Sequence, residues 1–336
     1  MLFQPAIIAL LMASGMGVLM LATAAPFAIE TLRHWDIRSG SERQLRLERR
    51  TYLVSTLLTV MFAVQLLALL LFVFNADRMA VMFVGAMCAV GTLNVNAYGF
   101  PALLVQIAVF FLASTWLIIN HADNRARDYP LLRAKYAFLL AILPVAAASF
   151  ALQLKYFLGL RADVITSCCG SLFSGEGNTL ASETSGLPPQ PAMAAFFAST
   201  ALAAGTGYLR ALRSGGRWLG YAVAGAAAVA FVVGIAGILS FLSLYIYEHP
   251  HHHCPFCALK AEYDYRGYWL YVPLFAATAA GLGAGALQPY ARIASLRTVL
   301  PRLTRQLAMA AALLYAAFAL VAAVMVWTSN LKLIET

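Results

Sequence analysis

Residues 51–75 read TYLVSTLLTVMFAVQLLALLLFVFN, a run without one charged side chain. A hydrocarbon core about 30 Å thick takes roughly 20 such residues as a helix. A run of this length and apolarity predicts a membrane-spanning helix rather than a core element of a water-soluble domain. Seven further runs satisfy the same criterion, giving predicted spans at about 5–31, 51–75, 101–120, 136–158, 192–211, 218–247, 270–290 and 307–328. The whole composition agrees: 62% of the 336 residues are hydrophobic and 11% charged, against about 25% charged in soluble domains. The expected fold is therefore an all-α integral membrane protein of about eight helices. It forms one polytopic domain over 1–336, with parallel halves 1–158 and 192–336 suggested by a weak internal correspondence and joined by an outer loop, 159–191. The first run has no Lys or Arg ahead of it and is long for a signal peptide, so it reads as a retained helix despite the small residues Ala22–Ala25.

Between 75 and 101 the chain stays apolar, but Gly85, Gly91, Asn94, Asn96 and Gly99 interrupt it. A ninth spanning helix there would invert every later loop. The stretch 79–99 is expected to be re-entrant or interfacial, its backbone buried by protein or lining a wet cavity.

Arg and Lys set the orientation. Arg33, Arg38, Arg43, Arg46, Arg49, Arg50, Arg125, Arg127, Arg133, Lys135, Arg210, Arg213, Arg217, Arg292, Arg297, Arg302 and Arg305 follow the odd-numbered helices. Only Arg78, Lys155, Arg161, Lys260, Arg266 and Lys332 fall on the other side. The positive-inside rule then places both termini and the even-numbered turns outside the cytoplasm, in a cytoplasmic (inner) membrane. The net charge of +9 follows from this topology and requires no nucleic-acid partner. Residues 33–50 alternate charges and read as a solvated helical hairpin against anionic lipid, with a cytoplasmic partner as the alternative. All five cysteines fall in the outer turns, where disulfides persist and metals arrive.

The most specific stretch is E-H-P-H-H-H-C-P-F-C, Glu248–Cys257. Pro255 suits the first position of a helix, which would place Cys254 near an N-cap and Cys257 in the first turn, where the helix dipole favours thiolate. His249, His251, His252, His253, Cys254 and Cys257 supply the imidazole and thiolate donors that copper and zinc take. Cys168 and Cys169 in the longest outer turn add two more sulfurs. Their neighbouring Cα atoms, about 3.8 Å apart, sit closer than a disulfide prefers, so each suits a different partner. An odd number of cysteines leaves one over, and Cys88 is the natural candidate. Met12, Met16 and Met20 line one face of the first helix, where they could pass Cu(I) along; packing explains them more readily than metal passage does.

The four residues Cys254-Pro255-Phe256-Cys257 resemble the active-site motif of glutaredoxins and thioredoxin-like oxidoreductases. No βαβ pattern surrounds them, so the resemblance implies the chemistry of Cys254 and Cys257 and not the thioredoxin fold. A C-x-x-C beside a helix end is also similar to membrane thiol oxidoreductases of the DsbB and vitamin K epoxide reductase types.

Three functions follow as expectations. The first is an outward-facing site that binds a soft transition metal, copper foremost and zinc next, and passes it to an extracytoplasmic metalloprotein. The second is a thiol–disulfide oxidoreductase acting on a thiol protein, with Cys254 and Cys257 catalytic. The third is a transport permease or structural subunit whose outer loop is stapled by a disulfide. There is no C-x-x-C-H for haem and no nucleotide-binding motif.

Overall fold

The computed structural model describes residues 4–37, 39–126, 128–161, 187–213 and 216–332. Eight helices among them are long and apolar enough to cross a membrane: Pro5–His34, Glu42–Met82, Gly99–Asp123, Leu132–Leu158, Pro189–Leu212, Arg217–Tyr247, Arg266–Tyr290 and Val299–Thr328. The chain is an all-α multi-pass membrane protein, and each predicted span coincides with one of these helices. In hydrocarbon a backbone must satisfy its own polar groups, and a helix does so within one segment.

We label the α-helical parts α1 (Pro5–His34), α2 (Glu42–Arg78), α3 (Ala89–Leu93), α4 (Gly99–Asp123), α5 (Leu132–Leu158), α6 (Pro189–Leu212), α7 (Arg217–Gly237), α8 (Ser243–Tyr247), α9 (Arg266–Ala286) and α10 (Val299–Thr328). The segment expected not to span is broken. It holds a 3-10 turn at Met79–Met82 and the five-residue α3, with Gly85 at φ 85° between them.

The chain forms two compact units. The first contains α1, α2, α4 and α5, packed as a closed ring in which α1 touches α2 and α5 while α4 touches the same two. Gln65 of α2 donates to the Ala13 carbonyl of α1 at 2.9 Å. A Cβ on the facing Gly17 would stand 2.5 Å from that amide nitrogen, so a larger residue there would displace the Gln65 side chain. At the other end of the ring, Trp116 stacks on Phe62 with centroids 4.9 Å apart and its indole N–H donates to the Lys135 carbonyl at 3.1 Å.

Lys135 corrects the loop assignment made from charge. It lies in α5, fully buried, 2.8 Å from the buried Asp123 carboxylate and 3.0 Å from Asn120 Oδ1. Asp123 also accepts from the Leu131 amide at 2.8 Å, which pins the α4–α5 turn to the pair. A lysine with this partner is compatible with an apolar interior where a lone one is not.

The second unit holds Met79–Thr92, α6 to α9 and α10 from Pro301 onward. Here α7 packs on α6 and α9. α10 reaches α6 where Arg210 donates to Thr304 at 3.1 Å, and α9 where the Tyr315 and Thr278 hydroxyls meet at 2.8 Å. Small residues set the α7–α9 spacing: a Cβ on Gly281 would lie 2.5 Å from that of Ala227, the close approach that glycine and alanine permit between membrane helices. Phe196, Phe241 and Phe318 fill the core. A π-helical turn at Ile238–Leu242 links α7 to α8.

Met12 and Met16 are exposed on α1, so they face outward from their unit.

Candidate metal centre

In the second unit, two non-spanning segments meet. α8 ends at Tyr247 because Glu248 takes left-handed backbone, φ 51°. Asn330 holds that residue, donating its backbone and side-chain N–H groups to Glu248 Oε1 at 3.0 Å each. These bonds, with Arg266 nearby, keep the Glu248 carboxyl below the usual carboxylate range. The chain then turns through the histidines into Cys254.

Cys257–Leu259 is a three-residue 3-10 turn that stops at the extended Lys260. The helix expected to begin at Pro255 is therefore absent, and no helix dipole acts on Cys254 or Cys257. Packing and side-chain hydrogen bonds shape the turn instead. Tyr247 donates its phenol proton to the Cys254 carbonyl at 2.5 Å and accepts from the Ala258 amide at 2.8 Å. Tyr271 donates to the Pro255 carbonyl at 2.8 Å. The Lys260 ammonium donates to the Met87 carbonyl at 2.5 Å, joining this turn to the segment that carries Cys88.

The result is a group of three thiols. Cys88 and Cys254 are wholly buried and Cys257 nearly so. All three sulfurs lie within 4.8 Å of one another, and those of Cys88 and Cys254 are 3.3 Å apart. No disulfide joins them. An ion bound to three sulfurs at about 2.3 Å sets them about 3.8–4.0 Å apart, a spacing these side chains reach with small movements. The group can hold a metal ion. Among the described residues it is the only cluster of three or more His, Cys, Asp or Glu side chains with that proximity.

The structure thus brings together Cys254 and Cys257 but adds Cys88, which cysteine arithmetic had set aside. The signal for Cys88 was present: it lies in a non-spanning segment interrupted by glycine, with Met79, Met82 and Met87 beside it. Nothing local in the sequence says which distant turn it meets. The histidines are not among the three ligands. His249 and His251 are exposed, with ring centroids 6.1 Å apart, and the His251 amide donates to His249 Nδ1 at 3.3 Å. His252 stacks on Tyr247 at 4.1 Å. His253 Nδ1 lies 2.8 Å from the Leu239 carbonyl in the π-helical turn; a carbonyl only accepts, so this nitrogen carries the proton. Cys168 and Cys169 lie outside the described residues.

The aromatic residues that follow the turn divide in two. Tyr265, Tyr268 and Trp269 are exposed. Tyr263 packs edge-on to Tyr247 at 4.5 Å, and burial together with the Cys257 sulfur pushes its phenol above the ordinary value.

Fold and site together define a multi-pass membrane protein with an enclosed three-thiol centre. Searches against known protein families, curated proteins and solved structures found no match for this chain.

Proposed function

We propose that the protein sits in the cytoplasmic membrane, binds Cu(I) through Cys88, Cys254 and Cys257 on the side away from the cytoplasm, and passes it to an extracytoplasmic metalloprotein. The observation that carries this reading is the donor set: three buried sulfurs within 4.8 Å of one another, joined among the described residues by no carboxylate or imidazole. Soft thiolates select Cu(I), which accepts three-sulfur coordination, whereas structural zinc sites are almost always four-coordinate. Burial supports it too, since an enclosed site shields bound Cu(I) from oxidation and water. The outward placement rests on the basic residues, which collect at the opposite helix ends. Because the ligands must lose their protons, binding releases protons and tightens as pH rises.

The test is metal content. Full-length protein purified in detergent under reducing conditions should carry or take up one copper per chain, and Cys254→Ser should lose it. Equal copper in both proteins ends this reading.

The 3.3 Å approach of Cys88 to Cys254 also supports a second reading, thiol–disulfide exchange by Cys254 and Cys257 with Cys88 as the third partner. It predicts a potential within the range of catalytic pairs, about −120 to −270 mV. Deep burial of all three sulfurs weighs against it, because a partner protein's thiolate must reach the sulfur it attacks.

A further inference from the structure

The hydroxyl of Tyr247 spans the C-P-F-C turn. It donates to the carbonyl of Cys254 and accepts from the amide of Ala258, so one phenol oxygen bridges the two ends of the C-P-F-C turn. Its ring is held on two sides, by His252 stacked at 4.1 Å and by Tyr263 edge-on at 4.5 Å. The neighbouring carbonyl, that of Pro255, is taken by Tyr271. Two consecutive carbonyl dipoles of the turn are therefore tethered to phenols.

The consequence concerns the sulfurs. A three-residue 3-10 turn has little cooperative rigidity of its own, and hydrogen bonds from side chains outside it fix its backbone. Without an external brace the turn relaxes, and Cys254 and Cys257 move apart in the metal-free state. We infer that Tyr247 is the positioning residue of the metal centre, fixing the Cys254–Ala258 span so that the sulfurs of Cys254 and Cys257 are set for the ion before it arrives. The inference rests on the metal-binding reading above. It assigns a role to His252 as well, as the ring that holds Tyr247 in place, and so accounts for one of the histidines that the ligand set leaves out.

Outer groups that orient ligands typically change metal affinity 10- to 100-fold when removed. The experiment compares full-length wild type, Tyr247→Phe, Tyr271→Phe and Cys254→Ser in detergent. Cu(I) affinity is read by competition with a chromophoric Cu(I) chelator, and melting temperature is read with and without Cu(I). Tyr247→Phe should weaken binding 10- to 100-fold and shrink the Cu(I)-induced rise in melting temperature, while keeping the ultraviolet copper–thiolate band at saturation. Tyr271→Phe, which loosens one carbonyl only, should show a smaller change in the same direction and serves if Tyr247→Phe does not fold. A lower melting temperature in both states with unchanged affinity makes the tyrosine merely structural and overturns the inference. Wild-type affinity indistinguishable from that of Cys254→Ser removes the metal reading itself, a different result from an unaffected Tyr247→Phe.

Discussion

The sulfur of Cys88 lies 3.3 Å from that of Cys254, 166 residues further along the chain. Two turns that follow different spanning helices thus supply one buried group, and Cys257 completes it. The contact makes Cys88 as necessary as either cysteine of the C-P-F-C turn. Cys88→Ser should weaken Cu(I) binding at least 100-fold, matching Cys254→Ser, as measured by chelator competition. A Cys88→Ser protein that binds like wild type would place the ligands elsewhere.

The same proximity predicts the products of oxidation. Treating the reduced, metal-free protein with diamide removes two electrons and two protons from a thiol pair and transfers them to the reagent. The new bond should join Cys254 to Cys88 or to Cys257, as read by peptide mapping. Prior loading with Cu(I) should protect these thiols from both diamide and alkylation. Labelling at the same rate with and without metal contradicts the assignment.

In the first unit, stability depends on the Lys135–Asp123 pair, both side chains fully buried and 2.8 Å apart. Removing one partner strands the other charge, so Lys135→Met should cost about 3–5 kcal/mol of unfolding free energy. Lys135→Met combined with Asp123→Leu should recover part of that loss, although the Leu131 amide then lacks its acceptor. Unfolding in mixed micelles with increasing dodecyl sulfate measures both. A double variant as unstable as the single one would contradict the account.

Glu248 yields a pH dependence whose sign follows from its partners. Its folded carboxyl titrates below the ordinary value because Asn330 bonds the ionised form. Its contribution is therefore present above the unfolded value, about 4.3, and disappears as pH falls through the folded one. The difference in melting temperature between wild type and Asn330→Ala should be constant near neutrality and shrink below about pH 4. A difference that grows on acidification would reverse the sign.

The eight spans were legible because a backbone in hydrocarbon must be helical, and runs such as 51–75 advertise it in composition alone. The broken character of 79–99 was legible from Gly85, Gly91 and the asparagines. Charge, however, misplaced Lys135: a basic residue next to an apolar run counts as a loop residue unless a buried partner such as Asp123 is known, and that partner is a tertiary fact. The site was legible in half. C-P-F-C pointed to thiol chemistry, but its helical reading failed because Lys260 is extended and side chains of Tyr247 and Tyr271, rather than a helix, shape the turn. Dense histidines suggested ligands, yet spacing along a chain does not determine side-chain convergence. Cys88 needed the fold, since its partner turn is set by packing within the second unit.

The central claim is a sulfur-only copper centre built from Cys88, Cys254 and Cys257, and X-ray absorption at the copper edge of the reduced, Cu(I)-loaded full chain tests it most directly. The account predicts one ion per chain with about three sulfurs at about 2.3 Å and no nitrogen in the first shell, a signature lost in Cys88→Ser. A shell dominated by imidazole nitrogen, or one unchanged by Cys88→Ser, would contradict it.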